Sequence, residues 1–330
     1  MKSQVPTIDL ELAEASSEIA SDLDEACRDH GFFLLKNHGM EQEIEAMWKS
    51  AASFFGQARE VKRLVQRTES QPLGYYDREL TKRQRDLKEV FDFREVRPDK
   101  PDINQWPDND PEFQKVMRAF FDVSATVAAR TLTVLYQTLS GKRDVSALPR
   151  GSVHTSNARL NYYPLTDPLD SGEQNTVAKL GDMALHHHTD PGILTLLLQD
   201  MTGGLQALTR NNQWIDIAPR ENTIVVNLGD MMQVWTNDTY KAAVHRVLPP
   251  VGRASPQHTA EARFSTPFFY SPEKDAVIEP LEMLMAIAPG STPGYRAFSW
   301  REYIQGRIND NYTDLGEDDI QISRYKLGEV

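Results

Sequence analysis

Residues 185–200 read LHHHTDPGILTLLLQD: a histidine run, a Pro-Gly turn and a short continuous apolar run. ILTLLL at 193–198 is too short for three helical turns and suits a strand buried on both faces. It also falls far short of the roughly 20 apolar residues that cross a bilayer. Around it, Val, Ile, Leu and Phe gather in similar short runs at 157–163, 184–188, 204–208, 213–217, 223–228, 244–248 and 262–270. Gly, Asn, Asp and Pro clusters separate these runs, a texture that predicts a sandwich or barrel and not alternating βαβ units.

The N-terminal half reads differently. Ile19, Leu23 and Ala26 predict an amphipathic helix over 18–29, with Ser16 or Ser17 as its cap. GFFLLKNHG at 31–39 predicts a buried strand, and Ile44, Met47, Trp48, Ala51 and Phe55 predict a helix over 41–55. From Pro111 to Gly141 runs a long helical pattern with proline at its start and glycine at its end. Between them, 66–110 is polar and proline-bearing, with a mixed charge run, ELTKRQRDLKE, at 79–89. That run is expected to be a solvated face or lid, unless one of its cations meets an acidic substrate.

Lys and Arg number 36 against 48 Asp and Glu across the 330 residues, for a net charge of −12. Nucleic acid and membrane partners are disfavoured, because anionic surfaces need a basic footprint. One cysteine, Cys27, cannot make an intramolecular disulfide, and MKSQVPTIDL has no signal-like apolar segment, so a cytoplasmic location is expected.

In an extended segment alternate side chains share a face, so His188 and Asp190 point one way and Thr189 the other. A third ligand is available in AAVHRVLPP at 242–250, where His245 sits in another strand-like run. Two histidines and one carboxylate form the facial triad of non-haem Fe(II) oxygenases, which leaves positions open for substrate and O2. A histidine-rich surface run is the alternative for His186, His187 and His188. ARFSTPFFY at 262–270 adds Arg263 and Ser265 on one strand face. A buried arginine needs an anionic partner, either a ligand carboxylate or an internal acid.

VPTIDL, GFFLLKNHG, NYYP at 161–164, HTDPGILTLLLQD at 188–200, GGLQAL at 203–208, NLGDMMQVWTND at 227–238, HRV at 245–247 and RFS at 263–265 occur in one order. In that order the chain resembles the 2-oxoglutarate/Fe(II)-dependent oxygenase superfamily, specifically its isopenicillin N synthase-like family. The resemblance implies a mainly β fold with flanking helices around a double-stranded β-helix, a cupin-like jelly roll. It implies one integrated unit: a mixed N-terminal region over 1–110, a support helix over 111–150, a catalytic core over 151–285 and a C-terminal helix and tail over 286–330. Fe(II) would be held by His188, Asp190 and His245. The co-substrate 2-oxoglutarate would be held by Arg263 and Ser265 with Tyr163 and Asn161 beside it. Departures are His186 where glycine is common, which could crowd or polarise the entrance, and the long loop between HRV and RFS, which carries a second arginine, Arg253.

The implied activity is oxidation, most often hydroxylation, of a small organic metabolite by O2 with release of succinate and CO2. The alternatives are an Fe(II) oxidase of the isopenicillin N synthase type that dispenses with 2-oxoglutarate, and a non-catalytic small-molecule-binding barrel. Phe91, Phe93, Trp235 and Phe268 are candidate substrate contacts, with core packing as the competing role. The C-terminal helix near Trp300 and Tyr303 is expected at the pocket mouth.

Overall fold

The structure, a computed structural model, describes residues 5–68, 70–81, 84–250, 261–285, 292–308 and 320–328. Numbered along the chain, its first strands are β1 (Thr7–Asp9), β2 (Phe32–Lys36), β3 (Gly74–Tyr76), β4 (Leu80–Thr81), β5 (Gln84–Arg85), β6 (Glu89–Phe93), β7 (Gly151–Tyr163) and β8 (Leu185–His188). Then come β9 (Leu194–Gln199), β10 (Leu205–Leu208), β11 (Trp214–Asp216), β12 (Ile224–Leu228), β13 (His245–Val247), β14 (Arg263–Pro272), β15 (Val277–Ile278) and β16 (Phe298–Ser299). The helices are α1 (Leu10–Ala15), α2 (Ala20–Asp29), α3 (Glu41–Phe55), α4 (Arg59–Lys62), α5 (Pro111–Ser140), α6 (Ser171–Gln174), α7 (Asp230–Trp235), α8 (Glu282–Met285) and α9 (Trp300–Ile308).

Eight strands lie side by side as β1-β2-β12-β9-β14-β7-β6-β3, and four more as β11-β10-β13-β8. Apart from the parallel pair β1 and β2, the neighbours in both sheets run antiparallel. The alternation of side chains shows how the sheets sit. Phe33 and Leu35 of β2, Leu194, Leu196 and Leu198 of β9, and Ile224 and Val226 of β12 pack into the larger apolar cluster, together with α2, α3 and α5. Their neighbours Phe32, Leu34, Leu197 and Val225 turn to a second cluster with Leu205, Ala207 and Val247 of the small sheet. The large sheet is thus covered by helices on one face and by the small sheet on the other, the jelly-roll arrangement. Runs such as FFLL and LTLLL lack polar alternation because both of their faces are buried.

The support helix α5 begins as its sequence predicts. The Asp110 carboxylate accepts the Phe113 N–H at 3.0 Å, Pro111 opens the first turn, and Gly141 ends it at φ 66°. Its inner face, including Phe113, Phe120, Phe121 and Leu132, is buried against the large sheet. Phe91, Phe93, Trp235 and Phe268 belong to this helix-facing core and not to the cavity between the sheets, so the core role is the one they fill. For α2 the cap differs from expectation: Ile19 occupies the N-cap position with no side-chain bond, and Ser16 Oγ instead accepts the Glu18 N–H.

The segment 66–110 holds four strands, β3 to β6, which its polar composition concealed. The described charges of the 79–89 run are not solvated. Glu79, Arg85, Asp86, Lys88 and Glu89 are all buried, each acid facing a cation. A neighbouring cluster pins α6 to the N-terminal region: Glu173 accepts from Arg63 at 2.7 Å and Arg78 at 2.6 Å, and also from Arg59. Among the described residues no helix is long and apolar enough to cross a membrane. The loop carrying Arg253 lies outside the described residues.

The hydrogen bond from Arg59, ahead of those from Arg63 and the charge of both guanidiniums, holds Glu173 at about 2, below its ordinary 4.5. A depressed carboxylate stabilises the fold above its unfolded pKa and loses that contribution as pH falls through the folded one. Replacing Glu173→Gln therefore lowers the urea midpoint at pH 7, and the gap to wild type narrows between pH 4.5 and 2. A gap of constant size over that range would contradict the pairing.

Candidate active site

The register of the small sheet sets His245 directly opposite His188 across β13 and β8, and the two ring centroids lie 4.3 Å apart. Asp190 lies two residues past the end of β8, where the chain bends toward β9. One of its oxygens, Oδ1, is 3.6 Å from His188 Nε2 and 3.7 Å from His245 Nε2. The three ligand atoms lie within 4.8 Å of one another.

Backbone and side-chain partners aim each group. His188 Nδ1 is 2.8 Å from the His186 carbonyl and His245 Nδ1 is 3.0 Å from the Ala243 carbonyl. A carbonyl only accepts, so each Nδ1 carries the proton and each Nε2 turns its lone pair inward. Asp190 Oδ2 accepts from Thr195 Oγ1 at 2.5 Å and from Asn227 Nδ2 at 2.8 Å, which leaves Oδ1 for the shared point. Burial and then His245 depress the His188 pKa to about 3, so its ring is neutral at physiological pH. Burial alone would raise the Asp190 pKa, but the two imidazoles and the Thr195 and Asn227 bonds outweigh it and keep the group ionised. Two imidazole nitrogens and one carboxylate are a donor set that can hold a divalent first-row cation.

The facing sheet carries the other predicted residues as two cross-strand pairs, Arg263 opposite Tyr163 and Ser265 opposite Asn161. Arg263 is 1% exposed, and its Nε and Nη1 have no hydrogen-bond partner. Its Nη2 reaches Gln199 Oε1 only at 3.4 Å, and the guanidinium lies 4.9 Å from the Tyr163 ring centroid. Asn161 Nδ2 donates to Ser265 Oγ at 3.4 Å. The internal acid that would neutralise Arg263 is absent among the described residues, so the guanidinium fits a carboxylate brought by a ligand.

All seven predicted residues line one cavity of about 240 Å3 between the sheets. Its wall also contains residues the sequence reading did not single out. Arg159 donates to Glu79 at 2.7 and 2.9 Å and to Asp92 at 2.7 and 2.9 Å. Arg67 joins the same two acids, and Lys88 lies 2.7 Å from Glu79 and 3.0 Å from Asp86. Three cations thus balance three carboxylates. Ile304 and Arg307 of α9 line the cavity, whereas Trp300 and Tyr303 are buried in the apolar core. His186 does not enter the cavity wall; its ring bonds Asp86 and Gln84 at 3.0 and 3.1 Å. His187 is exposed, with Trp214 at 6.5 Å.

Thr195 and Asn227 had a usable signal, being single polar residues inside otherwise apolar strands, LTLLLQ and IVVNL. Arg159 had none, because its acids, Glu79 and Asp92, come from other segments.

Comparison with known proteins gives matches over most of the chain. The family model for the 2OG-Fe(II) oxygenase superfamily matches residues 154–272, and the model described as non-haem dioxygenase in morphine synthesis N-terminal matches 5–109. A 2-oxoglutarate-Fe(II) type oxidoreductase, hxnY, of Emericella nidulans is 31% identical over 90% of this chain and 86% of its own. The 1-aminocyclopropane-1-carboxylate oxidase 1 of Oryza sativa subsp. japonica is 30% identical, with coverages of 92% and 89%. The structure of Neurospora crassa T7H in complex with alpha-KG and thymine superposes with a TM-score of 0.75 at 27% identity, covering 92% of this chain and 96% of that one.

An unpaired buried guanidinium costs folding energy that a neutral side chain of similar length does not. The ligand-free Arg263→Met variant is accordingly expected to be at least as stable as wild type. A dicarboxylate should raise the melting temperature of wild type and leave that of the variant unchanged. Equal shifts in both would show that Arg263 does not face the ligand.

Proposed function

The chain belongs to the 2OG-Fe(II) oxygenase superfamily, and from that premise we propose that it hydroxylates a small organic metabolite, with His188, Asp190 and His245 as the iron ligands. It is an Fe(II)- and 2-oxoglutarate-dependent oxygenase, an oxidoreductase that uses O2. Bound iron supplies the activation of O2, coupled to oxidative breakdown of 2-oxoglutarate to succinate and CO2.

The chain's own part is to bind, orient and shield. Neutral His188, the inward-turned Nε2 of His245 and ionised Asp190 would meet a divalent ion with one carboxylate charge, leaving net positive charge for an anionic co-substrate. In our reading Arg263 and Ser265 take the distal carboxylate of 2-oxoglutarate, and Tyr163 and Asn161 stand beside the same molecule. The single observation that carries this assignment is the pair of unpartnered buried donors on Arg263. An oxidase whose own substrate carries a carboxylate would engage the same guanidinium, so release of succinate is the measurement that separates the two readings. The balanced wall of Glu79, Lys88 and Arg159 gives the remaining space a polar rim.

A cavity of about 240 Å3 suits a compact metabolite and not a polymer. The T7H structure with thymine offers an instance of such a molecule bound to a similar protein. The net charge of −12 argues against a nucleic acid or membrane partner, and the single, fully buried Cys27 is compatible with a reducing cytoplasm.

The test is to load the full chain anaerobically with Fe(II) and 2-oxoglutarate, add O2 and a metabolite panel, and measure succinate against oxidised product. Equal amounts of succinate and product are expected, while substrate oxidation without consumption of 2-oxoglutarate would establish the oxidase instead. Arg263→Ala should raise the KM for 2-oxoglutarate by about 30-fold or more, since breaking a buried charge pair costs roughly 2 kcal/mol or more. Asp190→Ala should abolish both iron binding and turnover; an active Asp190→Ala enzyme would contradict the ligand assignment.

A further inference from the structure

The bend that carries Asp190 is gripped from two sides. On the inner side the backbone at the start of α7 holds it: Asp230 N–H donates to the Asp190 carbonyl at 2.8 Å, and Met231 N–H to the Gly192 carbonyl at 3.0 Å. Gly229 permits this approach, because a Cβ there would stand 2.3 Å from the Gly192 oxygen. On the outer side the grip comes from α9. Arg307 Nη2 donates to the Thr189 carbonyl at 2.6 Å, and Tyr303 OH donates to Asp230 Oδ2 at 2.5 Å. Residues 303 and 307 are one turn apart and share a helix face.

Thr189 lies past the end of β8, where no ladder bond serves its carbonyl, and a carbonyl drawn out of water needs a donor. Resting on the assignment of His188, Asp190 and His245 as ligands, we propose that Arg307 is a positioning residue for the metal site. It holds the Thr189 carbonyl and so fixes the bend that brings Asp190 Oδ1 opposite the two imidazoles. Arg307 and Ile304 also line the cavity, so one short helix both borders the substrate space and fastens the ligand loop. Among the described residues the other hydrogen bond of the Arg307 guanidinium is a long one, 3.5 Å, to the Ile320 carbonyl. The Thr189 contact is therefore its principal anchor.

The experiment titrates the metal-free full chain with Co(II), a visible stand-in for Fe(II), and follows its ligand-field spectrum. Arg307→Met keeps the apolar stem and removes the donors; it should weaken Co(II) binding by about 10-fold or more, the scale seen when groups that support metal ligands are lost. Arg307→Lys retains a donor and should recover most of that affinity. A folded Arg307→Met protein with wild-type affinity and spectrum would overturn the proposal, as would equal weakening in the Met and Lys variants. If Arg307→Met does not fold, Tyr303→Phe, which deletes one hydroxyl on the same face, decides: weaker Co(II) binding upholds the clamp and unchanged binding overturns it. Asp190→Ala is the control that separates the two readings. Wild-type Co(II) binding in that variant would remove the metal site itself, whatever the Arg307 variants show.

Discussion

Strand register is the constraint on which the site depends. In the small sheet it sets His245 against His188, and in the large sheet it sets Arg263 against Tyr163 and Ser265 against Asn161. A slip of one residue in any of these pairings would turn the side chains to the opposite face. What prevents the slip is the packing of alternate apolar residues: Leu194, Leu196 and Leu198 fit the helix-facing core, while Leu197 fits the core between the sheets. The chemistry is thus held by side chains that take no part in it.

Two kinds of buried charge share this interior. The charges of Arg67, Lys88 and Arg159 are matched one for one by Glu79, Asp86 and Asp92, so that cluster is neutral without a ligand. Arg263 is different, with two donors unmatched. A folded protein tolerates such a group only where other burial offsets it, and the group then gains most when an anion arrives. The contrast between a matched and an unmatched guanidinium on adjacent strands separates scaffold from binding site more clearly than burial does.

The jelly roll, the His188–Asp190 pair and the Arg263–Ser265 pair were legible because each is written locally. Strands buried on both faces appear as unbroken apolar runs, and His188, Asp190, Arg263 and Ser265 sit two apart on extended backbone. The 79–89 run was illegible for the opposite reason. Its Glu79 is met by Arg159 of β7 and Arg67, and its Arg85 by Asp167, residues that the chain brings together only after folding, and without them a charge run reads as solvated surface. Arg307 was hidden likewise, since its target is a backbone carbonyl, which no sequence pattern marks. The pairing of His186 with Asp86 shows the same limit, as a run of three histidines gives no hint of which distant group each ring will meet.

The place of β2 in the large sheet bears on how the protein is made. It pairs on one side with β1, which immediately precedes it in the fold's N-terminal portion, and on the other with β12, roughly 190 residues later. At ribosomal speeds of about 5–20 residues per second, its apolar FFLL waits roughly 10–40 s for that partner to emerge. During synthesis the nascent chain therefore exposes an unpaired edge that is apolar on both sides, a natural client for a chaperone and a point where slower translation would favour aggregation over assembly.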